Sequence, residues 1–196
     1  MSGTRDILRL ADRLLTERLQ LLGFARRSRG IYELDVYGWL GLNDSLRSEV
    51  RVWPFVGVLN HEVDETLSRL GAPVGGPIAT VQLGYLMPEA AARSWLFEGD
   101  LASDEVTAAD LALNVERYAV PFFEQNRDLR NLFESVARNS DEDSRAYLEP
   151  VLHYLLGARE IAERSIDEEL RTDHSTAGSE YREFVARFSD LLRTDR

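Results

Sequence analysis

Cysteine is absent from this 196-residue chain, and histidine nearly so, with only three residues (His61, His153 and His174). Without thiols there are no disulfides, no thiolate nucleophiles and none of the usual cysteine-based zinc sites. Lysine is missing as well, since all 23 basic residues are arginine. That excludes a lysine Schiff base and the lysine of a phosphate-binding loop. No Gly-x-Ser-x-Gly nucleophile elbow occurs. No run of about 18 apolar residues occurs either, so no membrane-spanning helix is expected. The first residues set Arg5 and Asp6 into an amphipathic pattern rather than an apolar run, which predicts no secretory signal. Lack of cysteine suits a cytoplasmic setting. Catalysis near neutral pH draws on histidine, cysteine, a metal or a paired acid and base. Scarcity of these groups points to a binding protein that is not an enzyme and needs no cofactor.

What the chain does have is a 44% hydrophobic content, enough for a real core, and a formal charge of −11 placed unevenly. Residues 1–30 hold seven arginines against Asp6, Asp12 and Glu17, whereas residues 31–196 hold 16 arginines against 31 acids. An acidic body repels nucleic acid and anionic lipid and favours a basic partner.

Periodicity predicts a first helix in which Ile7, Leu8, Ala11, Leu14, Leu15, Leu19 and Leu22 share one side, capped by Thr4 and stopped at Gly23. A meander follows. Phe24–Arg27, Ile31–Asp35, Tyr37–Leu42 and Val50–Leu59 have strand composition, and Asn43-Asp44-Ser45 reads as a turn. Pro54 suggests an edge strand or bulge. A short helix begins after Asn60, carries Val63, Leu67 and Leu70 inward and ends at Gly71. Ile78–Leu86 and Ser94–Glu98 are further strands. From Ser103 the pattern is helical, with segments near 104–125, 127–138, 142–156, 158–172 and 177–193. Pro121 should bend the first of these, and Asp173–Gly178 breaks before the last. Leu156-Gly157 and Ala162 resemble half of a tetratricopeptide unit, but one hairpin is not an array.

Candidate chemistry is sparse. His61 and Glu65 stand four apart, so a helix puts them on one face, and Glu62 would take the base position of a zincin-like pattern. The second ligand is glutamate where that pattern has histidine, and a third ligand would have to come from elsewhere. The same acids also suit the N-terminal turn of a helix capped by Asn60. Arg26, Arg27 and Arg29 form the one basic cluster, beside Phe24 and Tyr32. They could contact phosphate, or pair with the acidic second half of the chain; the overall charge argues against nucleic acid. Trp39, Trp53, Phe55, Tyr85, Trp95 and Phe97 gather in the strand-rich half, and serve either as core or as a binding face.

The order of an amphipathic helix, Leu21-Leu22-Gly23-Phe24, an Ile31-Tyr32 strand, a Val56-Gly57-Val58 strand, a His61-led helix and Tyr118-Ala119-Val120-Pro121-Phe122-Phe123 resembles a group of uncharacterised bacterial α+β proteins. The resemblance covers residues 5–138 and implies no established activity. Relatives of that group look similar to immunity proteins that neutralise bacterial toxins.

The expectation is an α+β fold: a mainly antiparallel sheet packed against the N-terminal helix and later helices, with residues 1–138 as the α+β domain and 139–196 as a helical extension. The leading function is protein binding, with an acidic surface covering a basic partner and with Trp39, Trp53, Arg26, Arg27 and Arg29 as contact residues. The alternatives are a metal-dependent hydrolase at His61, Glu62 and Glu65, and a helical scaffold that self-associates into a homo-oligomer.

Overall fold

The computed structural model describes residues 3–46, 49–171 and 178–194. The fold is α+β, with an antiparallel meander followed by helices. Helix α1 (Thr4–Leu21) leads into β1 (Phe24–Ser28), β2 (Ile31–Leu34), β3 (Gly38–Leu46) and β4 (Val50–Val58). Next come α2 (His61–Leu70), β5 (Ile78–Gln82), a 3-10 turn (Leu83–Leu86) and β6 (Trp95–Phe97). The rest is α3 (Leu101–Asn114), a π-helical turn (Val115–Ala119), α4 (Val120–Gln125), α5 (Leu129–Asn139), α6 (Glu142–Leu155), α7 (Arg159–Arg171) and α8 (Ser179–Thr194). The break expected at Asp173–Gly178 lies almost wholly outside the described residues.

The chain forms two compact units, residues 1–58 with 80–125 and residues 59–79 with 126–196. This grouping sets α2 and α5 with the C-terminal helices rather than with the sheet. Hydrophobic periodicity locates helices but does not say which neighbour covers each apolar stripe.

In the first unit the strands run in the order β1-β2-β3-β4-β5, with β6 also paired to β4. The register sets Phe24, Leu34, Gly38 and Val58 in one row, and Tyr32, Leu40 and Val56 in another. Opposed residues point to the same face, so these rows and Val50 and Val52 make one inner face, and they are mostly buried. Helix α1 covers it with Ile7, Ala11, Leu14, Leu15 and Leu19. Full burial of each leucine side chain contributes about 1.5–3 kcal/mol. The Tyr32 hydroxyl and Thr16 Oγ1 meet at 2.8 Å, and Arg26 donates to both oxygens of Asp12 at 3.0 and 2.9 Å, so two polar ties accompany the apolar contact. Phe123 of α4 reaches the same face. It stands edge-on to Phe24 at 6.3 Å, and a Cβ at Gly38 would come within 2.8 Å of its ring.

Four local expectations are corrected. Asn43-Asp44-Ser45 is strand, opposed by Trp53, Val52 and Arg51, because nine registered pairs hold β3 against β4 beyond the reach of local turn propensity. Thr4 is the first helical residue and Gly3 occupies the cap. Pro54 lies on an inner strand, past the Val50–Val52 stretch that β6 pairs, so it needs no edge. The strand from Ile78 ends at Gln82, where the chain tightens into the 3-10 turn. Pro121 follows a π-helical turn in which the Val120 amide bonds to the Val115 carbonyl, five residues back. A proline cannot donate and crowds the carbonyl four residues before it. A wider turn is one way a helix accommodates that, and here the path continues into α4.

In the second unit, α6 and α8 meet through an aromatic row. Tyr147 stands edge-on to Tyr181 and Phe184 at 5.2 and 5.0 Å, and Tyr154 to Phe188 at 5.9 Å. Residue numbers rise together along both helices, so they run parallel, joined through α7. Helix α2 is capped as expected, with Asn60 accepting from the Val63 amide and Gly71 left-handed at φ 71°. Arg187 of α8 donates to the Leu70 carbonyl at 3.4 Å, at the negative end of α2.

Candidate functional site

Strand alternation that buries the inner row exposes another on the opposite face. Trp39 opposes Gly57 and Glu33, Gly41 opposes Phe55 and Ile31, and Trp53 opposes Asn43. Arg51 opposes Leu96 at the β6 end. Trp39, Trp53, Phe55 and Leu96 are all half-buried. The Trp39 ring lies over Gly41, where the lack of a side chain leaves room for the indole. Charged pairs border this aromatic face: Arg27 with Glu33, and Arg51 Nε with Glu49 at 2.6 Å. Of the six aromatics noted in the sequence, Trp95 and Phe97 are core, and Tyr85 is 53% exposed.

The basic cluster does not act as one patch. Period-two geometry sends Arg26 toward α1 and Arg27 to the outer face, and Arg29 sits at the β1–β2 turn. Each has an acid nearby in sequence: Arg26 with Asp12, Arg27 with Glu33, and Arg29 with Asp44 at 2.6 Å. All three partners precede residue 45, which corrects the expectation that the acidic second half of the chain would supply them.

The His61 constellation forms in part. His61 Nε2 lies 3.2 Å from Glu65 Oε1 at the start of α2, with the two side chains 84% and 68% exposed. Glu62 and Asp64 sit in that first helical turn. Among the described residues no group of three or more histidine, aspartate or glutamate side chains is arranged to hold a metal ion. His153 packs at 4.5 Å against the Phe133 ring, and burial pushes its pKa below the usual histidine value. His174 lies outside the described residues. Asp141 of the acidic run at 141–143 caps α6 by accepting from the Ser144 amide. Asp167 and Glu168, in a further acidic stretch at 167–169, are exposed on α7.

Sequence reasoning missed a cluster around α3. Asp110 accepts from the Trp95 indole at 2.7 Å and from Arg93 at 3.0 Å, and the Arg93 guanidinium stands 5.0 Å over the Trp95 ring. It also missed Asp104, which is 1% exposed and accepts from the Glu98 and Gly99 amides at 3.0 Å each. The residue types were visible in the sequence, but the spacing of 15 residues between Trp95 and Asp110 carries no periodic signal.

No helix of the described residues is long and apolar enough to cross a membrane. No protein-family model, curated protein or solved structure matches the chain.

Proposed function

We propose that this chain is a non-enzymatic protein-binding module of the bacterial cytoplasm, immunity-like or antitoxin-like in action, that covers a basic partner. The observation that carries the reading is the outer sheet face, where Trp39, Trp53 and Phe55 stand half-exposed on a registered antiparallel scaffold. Tryptophan is enriched among residues that dominate binding energy, and a rigid strand presents it with little conformational cost. Arg27–Glu33 and Arg51–Glu49 give that face a polar rim, as interfaces usually have. Long-range steering comes from the acidic excess over residues 31–196, which speeds encounter with a basic surface.

The test is retrieval of a partner from a bacterial host with the tagged chain, followed by quantitative binding of that purified partner. Trp39→Ala and Trp53→Ala should each weaken affinity by about tenfold or more while the unfolding midpoint stays near that of the parent chain. Raising salt from about 50 to about 500 mM should slow association markedly. Binding that ignores both tryptophans removes this face from the interface, and binding that ignores salt removes the electrostatic part. Light scattering on the chain alone separates self-association, which would appear as a mass above that of one chain.

A further inference from the structure

We propose that a cleft between α1, the β1–β2 turn and strands β3 and β4 binds a small amphipathic anion, a single carboxylate carried on a medium-length acyl chain. This site lies on the inner face of the sheet and does not depend on the aromatic outer face. The cleft is open to solvent along one side and holds about 380 Å³, toward the lower end of the roughly 300–1,000 Å³ range of small-molecule pockets. Its apolar wall comes from Leu8, Ala11 and Leu15 of α1 with Leu42 and Val52 of the sheet. A second hollow adjoins it, sharing Leu8, Asp12 and Arg29 and adding Arg5 and Arg9. An apolar trough therefore opens among three guanidinium groups.

The charges at the mouth select the ligand class. Two acids line the cleft, and both are already engaged, Asp12 by Arg26 through two contacts and Asp44 by Arg29 at 2.6 Å. Arg9 has only a 3.4 Å contact to Asp6 and is 80% exposed. The Arg5 side chain makes no hydrogen bond or ion pair with any of the described residues. A neutral apolar molecule would make no use of these cations. A polyanion would meet the carboxylates of Asp12 and Asp44 as well. One negative charge at the rim with an apolar tail on the trough satisfies both constraints. The turn that shapes the opening is fixed by Gly30, at φ 72°, whose carbonyl accepts the Leu42 amide at 2.7 Å. A Cβ there would come within 2.8 Å of the Leu42 carbonyl oxygen, so the close approach of that turn to β3 requires glycine.

Decanoate, titrated calorimetrically into the full chain, is the probe. It should bind saturably with a Kd below about 1 mM, and decanol of equal length should bind at least about tenfold more weakly. The double variant Arg5→Glu/Arg9→Glu changes two exposed side chains. It should weaken decanoate by about tenfold or more and leave decanol unchanged. Leu42→Trp, which fills the trough, should weaken both probes, with thermal melts confirming that each variant is folded. Absence of saturable decanoate binding by the parent chain would overturn the site. Equal affinity for decanol, or an unaffected double variant, would overturn the anionic head group. Co-sedimentation with phosphatidylglycerol vesicles without binding of free decanoate would overturn a soluble ligand in favour of a lipid surface.

Discussion

The indole of Trp95 donates to Asp110 Oδ2 at 2.7 Å, tying the shortest strand of the sheet to the middle of α3. The same oxygen accepts from Arg93 at 3.0 Å, but there the two side chains are 42% and 44% exposed. Trp95 itself is only 4% exposed. The two contacts therefore differ in value. An exposed ion pair contributes about 0–1 kcal/mol, whereas a buried donor left without its partner costs about 1–3 kcal/mol. Asp110→Ala should lower stability by about 1–3 kcal/mol in urea titration, and Arg93→Ala by under about 1 kcal/mol. A larger loss from Arg93→Ala would mean that its stacking on the Trp95 ring outweighs the indole hydrogen bond.

Asp104 makes a second such prediction. Its two carboxylate oxygens each accept a backbone amide, from Glu98 and from Gly99, and so anchor the loop between β6 and α3. Asp104→Ala orphans both donors in a part-buried setting and should cost about 1–3 kcal/mol. Asp104→Asn keeps the shape, yet turns one acceptor into a donor facing a donor, so it should recover only part of the loss. Full recovery in the asparagine variant would show that packing alone, not the pair of accepted bonds, carries the residue.

Three tyrosines make stability fall at alkaline pH. Burial raises the pKa of Tyr32, Tyr147 and Tyr181 above the ordinary phenol value. Between the unfolded and folded values the folded chain binds more protons than the unfolded chain, so stability declines as pH rises. The contribution is fully present below about pH 10 and is lost progressively above it. Melting temperature should drop above that point, and phenolate absorbance should rise with the unfolding transition for these groups. Phe substitution of Tyr147, the least enclosed of the three, should leave most of the alkaline slope in place.

Acid acts through different groups. Asp141 is held below the usual carboxylate pKa by its bonds from the Ser144 amide and hydroxyl. His153 is held below the usual histidine value by burial. Their stabilising contributions are present above the unfolded values and are lost as pH falls through the folded ones. Stability should therefore begin to fall below about pH 6.5 through His153, with a further loss in the carboxylate range through Asp141. His153→Phe should remove the first step and keep the second.

The fold was legible wherever one physical signal dominated a stretch. Apolar spacing and Gly23 marked α1, and Asn60 with Gly71 bounded α2, because periodicity and capping are local. The turn assigned to Asn43-Asp44-Ser45 failed for the opposite reason. Those residues favour turns in isolation, yet pairing with Trp53, Val52 and Arg51 decides their state. Pro54 misled in the same way, since a proline speaks only for its own missing donor. The candidate site was legible as a set of aromatics but not as a surface. Only the register separates Trp39 and Trp53 on the outer face from buried Trp95 and Phe97. The arginine cluster likewise looked continuous in sequence, and strand alternation divided it.

Ala79 holds a backbone conformation that its side chain disfavours. It lies within β5 at φ 52°, in the left-handed region, and is 2% exposed. An L-residue with a Cβ pays about 1–2 kcal/mol there, whereas glycine adopts it freely. Glycine also loosens the unfolded chain by about 0.4–1 kcal/mol, which works the other way. Loss of the buried methyl costs about 0.8 kcal/mol more, so Ala79→Gly should stay within about 1 kcal/mol of the parent chain, read as a shift in the urea midpoint at constant slope. Ala108→Gly in α3 is the control. That alanine is equally buried but helical, so the same change should destabilise by about 1 kcal/mol from propensity, plus the lost contact of its methyl group. If both substitutions destabilise alike, packing of the Ala79 methyl outweighs its backbone strain.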